Sequence, residues 1–416
     1  MHNNFTHLPD KTDVCIIGAG PAGTTTSLYL SRMGIPHVLI DKDFFPRDKI
    51  CGDGLDPNSL RVLYHYNPDL LQQILAKTEI YTAINGVRVI SPNERVTPMF
   101  CRPLAAHGGL PIYITGRRAA FDTFLQESLD NHFAKIHMGT AVVDIVRQDG
   151  GLLLTMQQDG VQKTVFTPIV IGADGDHSIV QRKLDQRKIE RHYYAAALRC
   201  YYKGVSDMHP EKLLDVYLPR VLPMGYFWIF PMANGEMNVG LGMSSHQISK
   251  RKVNLREEMQ QLIEKDKYLA PRFANATPLE SPAGWGLPLA ARRRTNYGDN
   301  YLLVGDAGSL INPLSGEGIG SAMISGVVAS HFVRRALETR RFDAESLSLF
   351  QRESSKRLNK EINFYRRIVH ISIDKWQHHL INAFVGSGVA RRMFESYAPN
   401  WMNTVYTKPI EVNFKP

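Results

Sequence analysis

Three carboxylates stand at the ends of apolar runs, each beside glycine or a strand: Asp41 after His37-Val-Leu-Ile40, Asp174 in Gly172-Ala-Asp174-Gly175, and Asp306 in Val304-Gly305-Asp306. An acid at the carboxyl end of a buried strand lies where ligands bind in open α/β sheets, and its oxygens accept hydrogen bonds from sugar hydroxyls. Asp41 follows Gly18-Ala19-Gly20-Pro21-Ala22-Gly23 by 23 residues counted from Gly18, the interval at which such an acid meets the ribose of a dinucleotide. Gly18 permits the tight turn, Gly20 lets a pyrophosphate approach the backbone, and Gly23 lets the following helix pack on the strand. Past Asp41 come Lys42, Arg47, Lys49, Cys51, Gly52, Asp53 and Gly54. The cations suit phosphate, and the small residues suit close approach to a planar ring. With Arg47 and Lys49 near it, the Cys51 thiol is expected to have a lowered pKa and to touch a reacting centre. A small buried residue is the other reading.

Tyr226, Trp228 and Phe230, in Tyr226-Phe-Trp228-Ile-Phe230-Pro231, share one face of an extended strand because side chains alternate with period two. They predict a flat apolar wall, either ordinary sheet core or the side of a ring- or substrate-binding pocket. Arg118 opens an amphipathic segment and either reaches a phosphate or ribose or remains a surface cation. Gly316-Glu-Gly318-Ile319-Gly320 leads into a helix whose N-terminus favours negative charge.

The elements that must position these groups read as an α/β fold. Val14 to Ile17 is a buried parallel strand, Pro21 to Met33 a helix stopped by Gly34, and His37 to Ile40 a second strand. Residues 56 to 75 are predicted helical, Val142 to Val146 a strand, Ile169 to Ile171 a strand followed by a helix over Ile179 to Leu184, and a helix starts near Ile319. From 190 to 284 the pattern is strand-like and aromatic. The expected organisation is a Rossmann-like nucleotide-binding domain made of 1–75, 110–185 and 285–340. An inserted antiparallel sheet domain comprises 76–109 and 186–284, and a helical basic region 341–416.

The chain has 416 residues and a net charge of +9; residues 331 to 416 carry 15 Lys and Arg against 8 Asp and Glu. That basic end predicts an anionic partner such as the inner face of a membrane, or a solvated helical face. No basic pattern suggests nucleic acid. Cys15, Cys51, Cys101 and Cys200 are widely spaced, which argues against disulfides or a metal site. No secretory signal or spanning segment is recognised, so a cytoplasmic protein is expected, with peripheral membrane contact.

Gly18-x-Gly20-x-x-Gly23, Gly172-Ala-Asp174-Gly175 and Gly305-Asp306 resemble, in order and spacing, flavoprotein monooxygenases of the p-hydroxybenzoate hydroxylase type and their reductase relatives. Phe45-Pro-Arg47-x-Lys49-x-Cys51-Gly52-x-Gly54-Leu55, and Tyr226-x-Trp228-x-Phe230-Pro231 followed by Gly240-x-Gly242, are similar to the geranylgeranyl reductase family. The resemblance implies an FAD-dependent reductase of polyprenyl C=C bonds; with one complete dinucleotide-binding βαβ unit visible, NAD(P)H binding transiently and a separate donor protein such as ferredoxin both stay open as the source of electrons. It implies FAD contacts from Gly18, Gly20, Pro21, Ala22, Gly23, Asp41, Lys42, Arg47, Cys51, Gly52, Arg118, Asp174, Gly175, Gly305, Asp306, Gly316, Gly318 and Ile319. Tyr226, Trp228 and Phe230 would line the isoprenoid channel, with Cys51 near the flavin as the candidate catalytic group. Asp53 departs from the family, which more often has glycine there. An oxygen-using monooxygenase or halogenase, and a flavin-containing lipid-binding protein, are the competing expectations.

Overall fold

The computed structural model describes residues 5–103, 108–186, 193–291, 294–356, 382–383, 388–412 and 414. Its organising sheet has five parallel strands in the order Tyr301–Leu303, Val170–Gly172, Cys15–Ile17, His37–Ile40 and Ala134–His137, with Tyr297–Gly298 antiparallel at one edge. Alternation along the strands sorts their side chains to two faces. Val14, Ile16 and Leu39 join a core with Leu28, Leu30, Val327 and Val328 of the helices Pro21–Arg32 and Ile319–Thr339. Cys15, Ile17, Val38 and Ile40 join a separate core with Leu152, Leu154, Met156 and Val165. The latter belong to a three-stranded antiparallel sheet, Ala141–Gln148, Gly151–Gln158 and Val161–Thr167. Both faces of the parallel sheet are therefore covered, as a sheet of nearly continuous apolar strands requires.

A second large sheet takes the chain in two excursions. Its order is Thr277–Pro278, Tyr194–Lys203, Glu236–Ser244, Gly225–Pro231, Leu214–Tyr217, Gly86–Ile90 and Val96–Phe100, with Ala283–Pro288 also pairing with Tyr194–Lys203. One face packs Cys200, Phe227, Ile229, Val239 and Leu241 against Met259 and Leu262 of the helix Leu255–Lys265. Residues one position out of phase, among them Ala197, Trp228 and Val216, face a cavity on the other side.

Several local expectations are corrected. The segment 56–75 forms two helices, Pro57–Tyr66 and Pro68–Ala76, because Pro68 cannot continue the first, and the Asn67 side chain caps the second by accepting from Asp69 N–H. The helix expected over Ile179 to Leu184 is present: the chain is helical from 179 and widens over Gln181–Asp185 into a π-type turn ended by Gln186 in the left-handed region. The strand over Val142 to Val146 is the middle of Ala141–Gln148. In the basic C-terminal region the helix Val389–Thr407 lies against Pro57–Tyr66: Arg61 donates to the carbonyls of Lys408 and Pro409 at 2.7 and 3.0 Å. The expected helical stretch between 357 and 381 lies outside the described residues. Among the described residues no helix is long and apolar enough to cross a membrane, and no cluster of His, Cys, Asp or Glu could hold a metal.

Candidate functional site: a nucleotide cleft continuous with an apolar wall

The first glycine turn owes its sequence to close packing. Gly18 has φ +102°, and a Cβ there would lie 2.4 Å from the Ala173 carbonyl oxygen. At Gly23 a Cβ would lie 1.8 Å from the Gly18 carbonyl oxygen, so the helix Pro21–Arg32 meets its own turn only without a side chain. Gly20 differs: the nearest atom to its added Cβ is Arg47 Nη2 at 3.5 Å. Nothing in the protein demands glycine there, but the position opens into a cavity of about 1250 Å³. That exceeds the ~300–1,000 Å³ of an ordinary small-molecule site, leaving space for a cofactor and a second molecule.

The cavity brings together the expected groups from distant segments. Gly18, Gly20, Pro21, Ala22, Asp41, Lys42, Arg47, Cys51, Gly52 and Arg118 line it, with Asp174, Gly175, Gly305, Asp306, Gly316, Gly318 and Ile319. So do Tyr226, Trp228 and Phe230. Gly23 does not, in keeping with its packing role. Lys42 is exposed at the edge.

Electrostatics refine the reading of several residues. Asp41 is not wholly free for a ribose: its Oδ2 accepts from Ala19 N–H at 2.7 Å and its Oδ1 from Asp43 N–H at 3.0 Å. Burial raises its pKa, opposed by Arg47 and these hydrogen bonds. Arg118 is not a surface cation but is buried, gripping Asp122 through Nε and Nη2 at 2.8 Å each. Burial works against its charge, yet Asp122 outweighs this and the net shift is upward. Arg47 Nη2 lies 3.5 Å from the same Asp122. Burial raises Asp174 and Asp306, Lys49 and Arg118 opposing it at Asp306. Burial lowers Lys49, whose ammonium sits 3.7 Å from the Trp285 ring centroid, to about 8. The expected lowering of the Cys51 pKa is overturned: desolvation pushes the thiol up, outweighing the Arg118 charge, so at neutral pH it is an S–H and not a thiolate.

Residues the sequence reading missed also face the cavity. Trp285 forms one side, beside Lys49, which the sequence had already marked as a cation of the cleft. Glu317 accepts from Tyr113 Oη at 2.9 Å and from Ser315 Oγ at 3.0 Å. Phe394 and Trp401, on the C-terminal helix, close another side. No local pattern in that helix announced its place in the cavity wall, because the rest of the lining comes from segments far earlier in the chain.

The lining fits a flavin dinucleotide. Gly20 offers a cradle that a Cβ would fill, Arg47 Nε and Asp174 Oδ1 are buried with no hydrogen-bond partner, and the N-terminus of Ile319–Thr339 points its free N–H groups at the same space. Fold and site together define a flavoprotein oxidoreductase in which a parallel nucleotide-binding sheet meets a larger sheet that carries the apolar wall. The comparisons with known proteins agree: residues 11–330 match the family described as FAD binding domain. The chain belongs to that family, and it is an FAD-dependent oxidoreductase of the geranylgeranyl reductase-like group. It is 28% identical over 360 residues to digeranylgeranylglycerophospholipid reductase 2 of Methanosphaera stadtmanae, covering 86% of each chain. It is 30% identical over 336 residues to menaquinone reductase of Mycolicibacterium smegmatis, covering 78% of this chain and 76% of the relative. Among solved structures, a geranylgeranyl bacteriochlorophyll reductase-like protein from Thermoplasma acidophilum superposes with a TM-score of 0.72 at 21% identity, over 97% of this chain and 94% of the other. At that identity the likeness speaks for the fold.

Proposed function

We propose that this chain saturates C=C bonds in the polyprenyl chain of a lipid or quinone. The observation that carries the reading is the cavity-facing side of the large sheet. Tyr226, Trp228 and Phe230 continue there into the aliphatic residues Leu214, Val216, Val87 and Val89, without a break from the nucleotide cleft. A long flexible hydrocarbon matches such a wall, and the lipid and quinone reductases among the relatives are consistent with it. The cofactor residues are those expected from the motifs, apart from Gly23, which packs the helix on its turn. When bound, reduced FAD supplies hydride.

The protein's own part is geometric and protonic. An isolated alkene accepts hydride poorly, because negative charge on the second carbon is not delocalised, so the wall must hold the double bond at near-attack distance and exclude water. The neutral Cys51 thiol, at the cavity wall between the cleft and the aromatic strand, is placed to deliver or relay a proton. A second face bears on how a membrane-borne substrate arrives. Val389, Met393 and Tyr397 recur every four residues on the C-terminal helix and are 38, 58 and 62% exposed, with Arg392 nearest them in angle around the helix. An apolar stripe with a cation beside it suits peripheral contact with an anionic bilayer.

The test is anaerobic. FAD-reconstituted protein reduced with dithionite is mixed with geranylgeranyl lipid or menaquinone, and products are weighed by mass spectrometry. Two hydrogens gained per double bond are expected; an unchanged lipid, or product formed only in air, refutes the reading in favour of a binding protein or an oxygen-using enzyme. Stopped-flow bleaching with NADPH, NADH and reduced ferredoxin identifies the donor.

A further inference from the structure

Asp53 is fully buried, and unlike its neighbours Cys51, Gly52 and Gly54 it does not face the cavity. Its backbone has φ +59°, in the left-handed region that aspartate enters more readily than most residues. Its carboxylate is met by donors from three other segments. Oδ2 accepts from Tyr201 Oη and from Asn238 Nδ2, the latter at 2.8 Å, and Oδ1 accepts from Arg118 N–H at 3.2 Å. Asn238 also donates to the Cys51 carbonyl at 2.9 Å. Two acceptors on its nitrogen side leave its Oδ1 facing the other way, where it accepts from Trp228 Nε1 at 2.8 Å. The indole lies over Gly240, where an added Cβ would come within 2.2 Å of Trp228 Cζ2.

We propose that Asp53 is a positioning residue: acting through Asn238, it sets the plane of the Trp228 indole in the cavity wall and ties the Cys51–Gly52 loop to that wall. The amide of Asn238 can turn either way by itself. Asp53 removes one choice, because the flipped amide would aim a carbonyl oxygen at a carboxylate and an NH2 at an indole N–H. The same device fixes the loop. Gly52 would meet Phe230 at 3.4 Å and Trp228 Cε2 at 3.9 Å through an added Cβ, so loop and aromatic strand are in near contact, and a turned indole displaces both.

The arrangement works with Asp53 ionised, since every partner donates. Burial raises its pKa to about 6, opposed by Tyr201, Asn238, Arg199 and Arg118. The charged and titratable groups around it are Arg199 and Tyr201 on one strand, Arg117 and Arg118 at the head of a helix, and Cys51 in its own loop. The Arg117 and Arg199 guanidiniums lie 4.1 and 4.3 Å from the Tyr201 ring centroid and help hold that tyrosine in place. Protonation of Asp53 turns a charged acceptor into a neutral one: the Tyr201 hydroxyl can rotate to accept the new proton, and the hold on the Asn238 amide weakens.

The inference rests on the proposed substrate only for its kinetic consequence; its spectroscopic test needs no substrate. Near-ultraviolet circular dichroism of the FAD-loaded protein is followed at the tryptophan band from pH 7.5 to 5. A reversible change with a midpoint near 6 is expected, absent in Trp228→Phe and in Asp53→Asn, both of which retain FAD. Substrate KM rises in Asp53→Asn, and the rise is not additive with that of Trp228→Phe. A band independent of pH in the wild type overturns the proposal, even if Asp53→Asn does not fold. Additive effects of the two substitutions overturn it as well. If the circular dichroism behaves as stated and no polyprenyl substrate is turned over, the substrate reading fails and the positioning role stands.

Discussion

Gly20 and Gly23 belong to one motif, yet the structure separates their roles, and replacing each by alanine tests the separation. At Gly23 the new methyl would sit 1.8 Å from a carbonyl oxygen and 3.1 Å from Ala173 Cβ, so helix and strand must part. Overpacking of this kind costs ~1–3 kcal/mol or more, against a helix-propensity gain of ~1 kcal/mol at most. At Gly20 the methyl makes an ordinary contact, 3.5 Å from Arg47 Nη2. The residue caps the helix with φ −70° and ψ −177°, which alanine adopts, so apo stability should move by no more than ~1 kcal/mol. The methyl would occupy the space a pyrophosphate needs, and loss of one charge-assisted N–H bond, ~1.5–3 kcal/mol, weakens FAD ~10- to 150-fold. Apo stability is read by urea denaturation and FAD affinity by quenching of flavin fluorescence on reconstitution. Gly23→Ala should lower the first and Gly20→Ala only the second. Equal loss of apo stability in both, or wild-type FAD affinity in Gly20→Ala, would refute the placement of the cofactor at this turn.

Three further outcomes are expected. Cys51→Ser should slow single-turnover alkene reduction by prereduced enzyme ~10²-fold or more if the thiol moves the proton; an unchanged rate removes it from the mechanism. His37 is buried, and since the Ile35 carbonyl at 2.9 Å can only accept, Nδ1 carries the proton while Nε2 faces Ser27 Oγ at 2.6 Å. Burial lowers its pKa to about 4. Between that value and ~6.5 the unfolded chain binds a proton that the fold refuses, so His37 costs up to ~3 kcal/mol as pH falls through the window. Asp53, with its pKa raised to about 6, acts in the opposite sense, because there the fold binds the proton first and gains stability on acidification. His37→Gln should therefore shift the urea midpoint upward relative to the wild type as pH falls from 6.5 to 4.5, the gap between the two profiles widening toward acid, and parallel profiles for the two proteins would contradict this. Finally, Met393→Asp with Tyr397→Asp should abolish co-sedimentation with phosphatidylglycerol vesicles while leaving FAD binding intact; undiminished sedimentation would dismiss the helix as the contact surface.

Local chemistry made much of the fold and cleft legible in advance. Gly23, forced by the Gly18 carbonyl oxygen, a proline at a helix start, and an acid at the end of a four-residue buried strand all answer to neighbours within about thirty residues, whereas the contact of Gly18 with the Ala173 carbonyl comes only with the fold. The motif around Gly18 and Asp41, the strand before Asp174 and the helix from Ile319 could therefore be read without the fold. The alternation of Tyr226, Trp228 and Phe230 likewise announced a wall, because period two is a property of the strand itself.

Other properties belong to partners that only folding brings near. Whether Cys51 is a thiolate depends on how much water the assembled cavity removes, and burial proved stronger than the nearby arginine charge. Arg118 finds Asp122 one helical turn on, but its burial comes from the sheets that close over it. Asp53 takes its hydrogen bonds from Tyr201 and Asn238, 148 and 185 positions away, and no pattern in the intervening chain announces them. The sequence by itself determined where backbone could approach a phosphate. The tertiary structure decided which side chains are charged, which are neutral and which merely hold another in place, because those depend on desolvation and hydrogen bonding across segments that share no local rule.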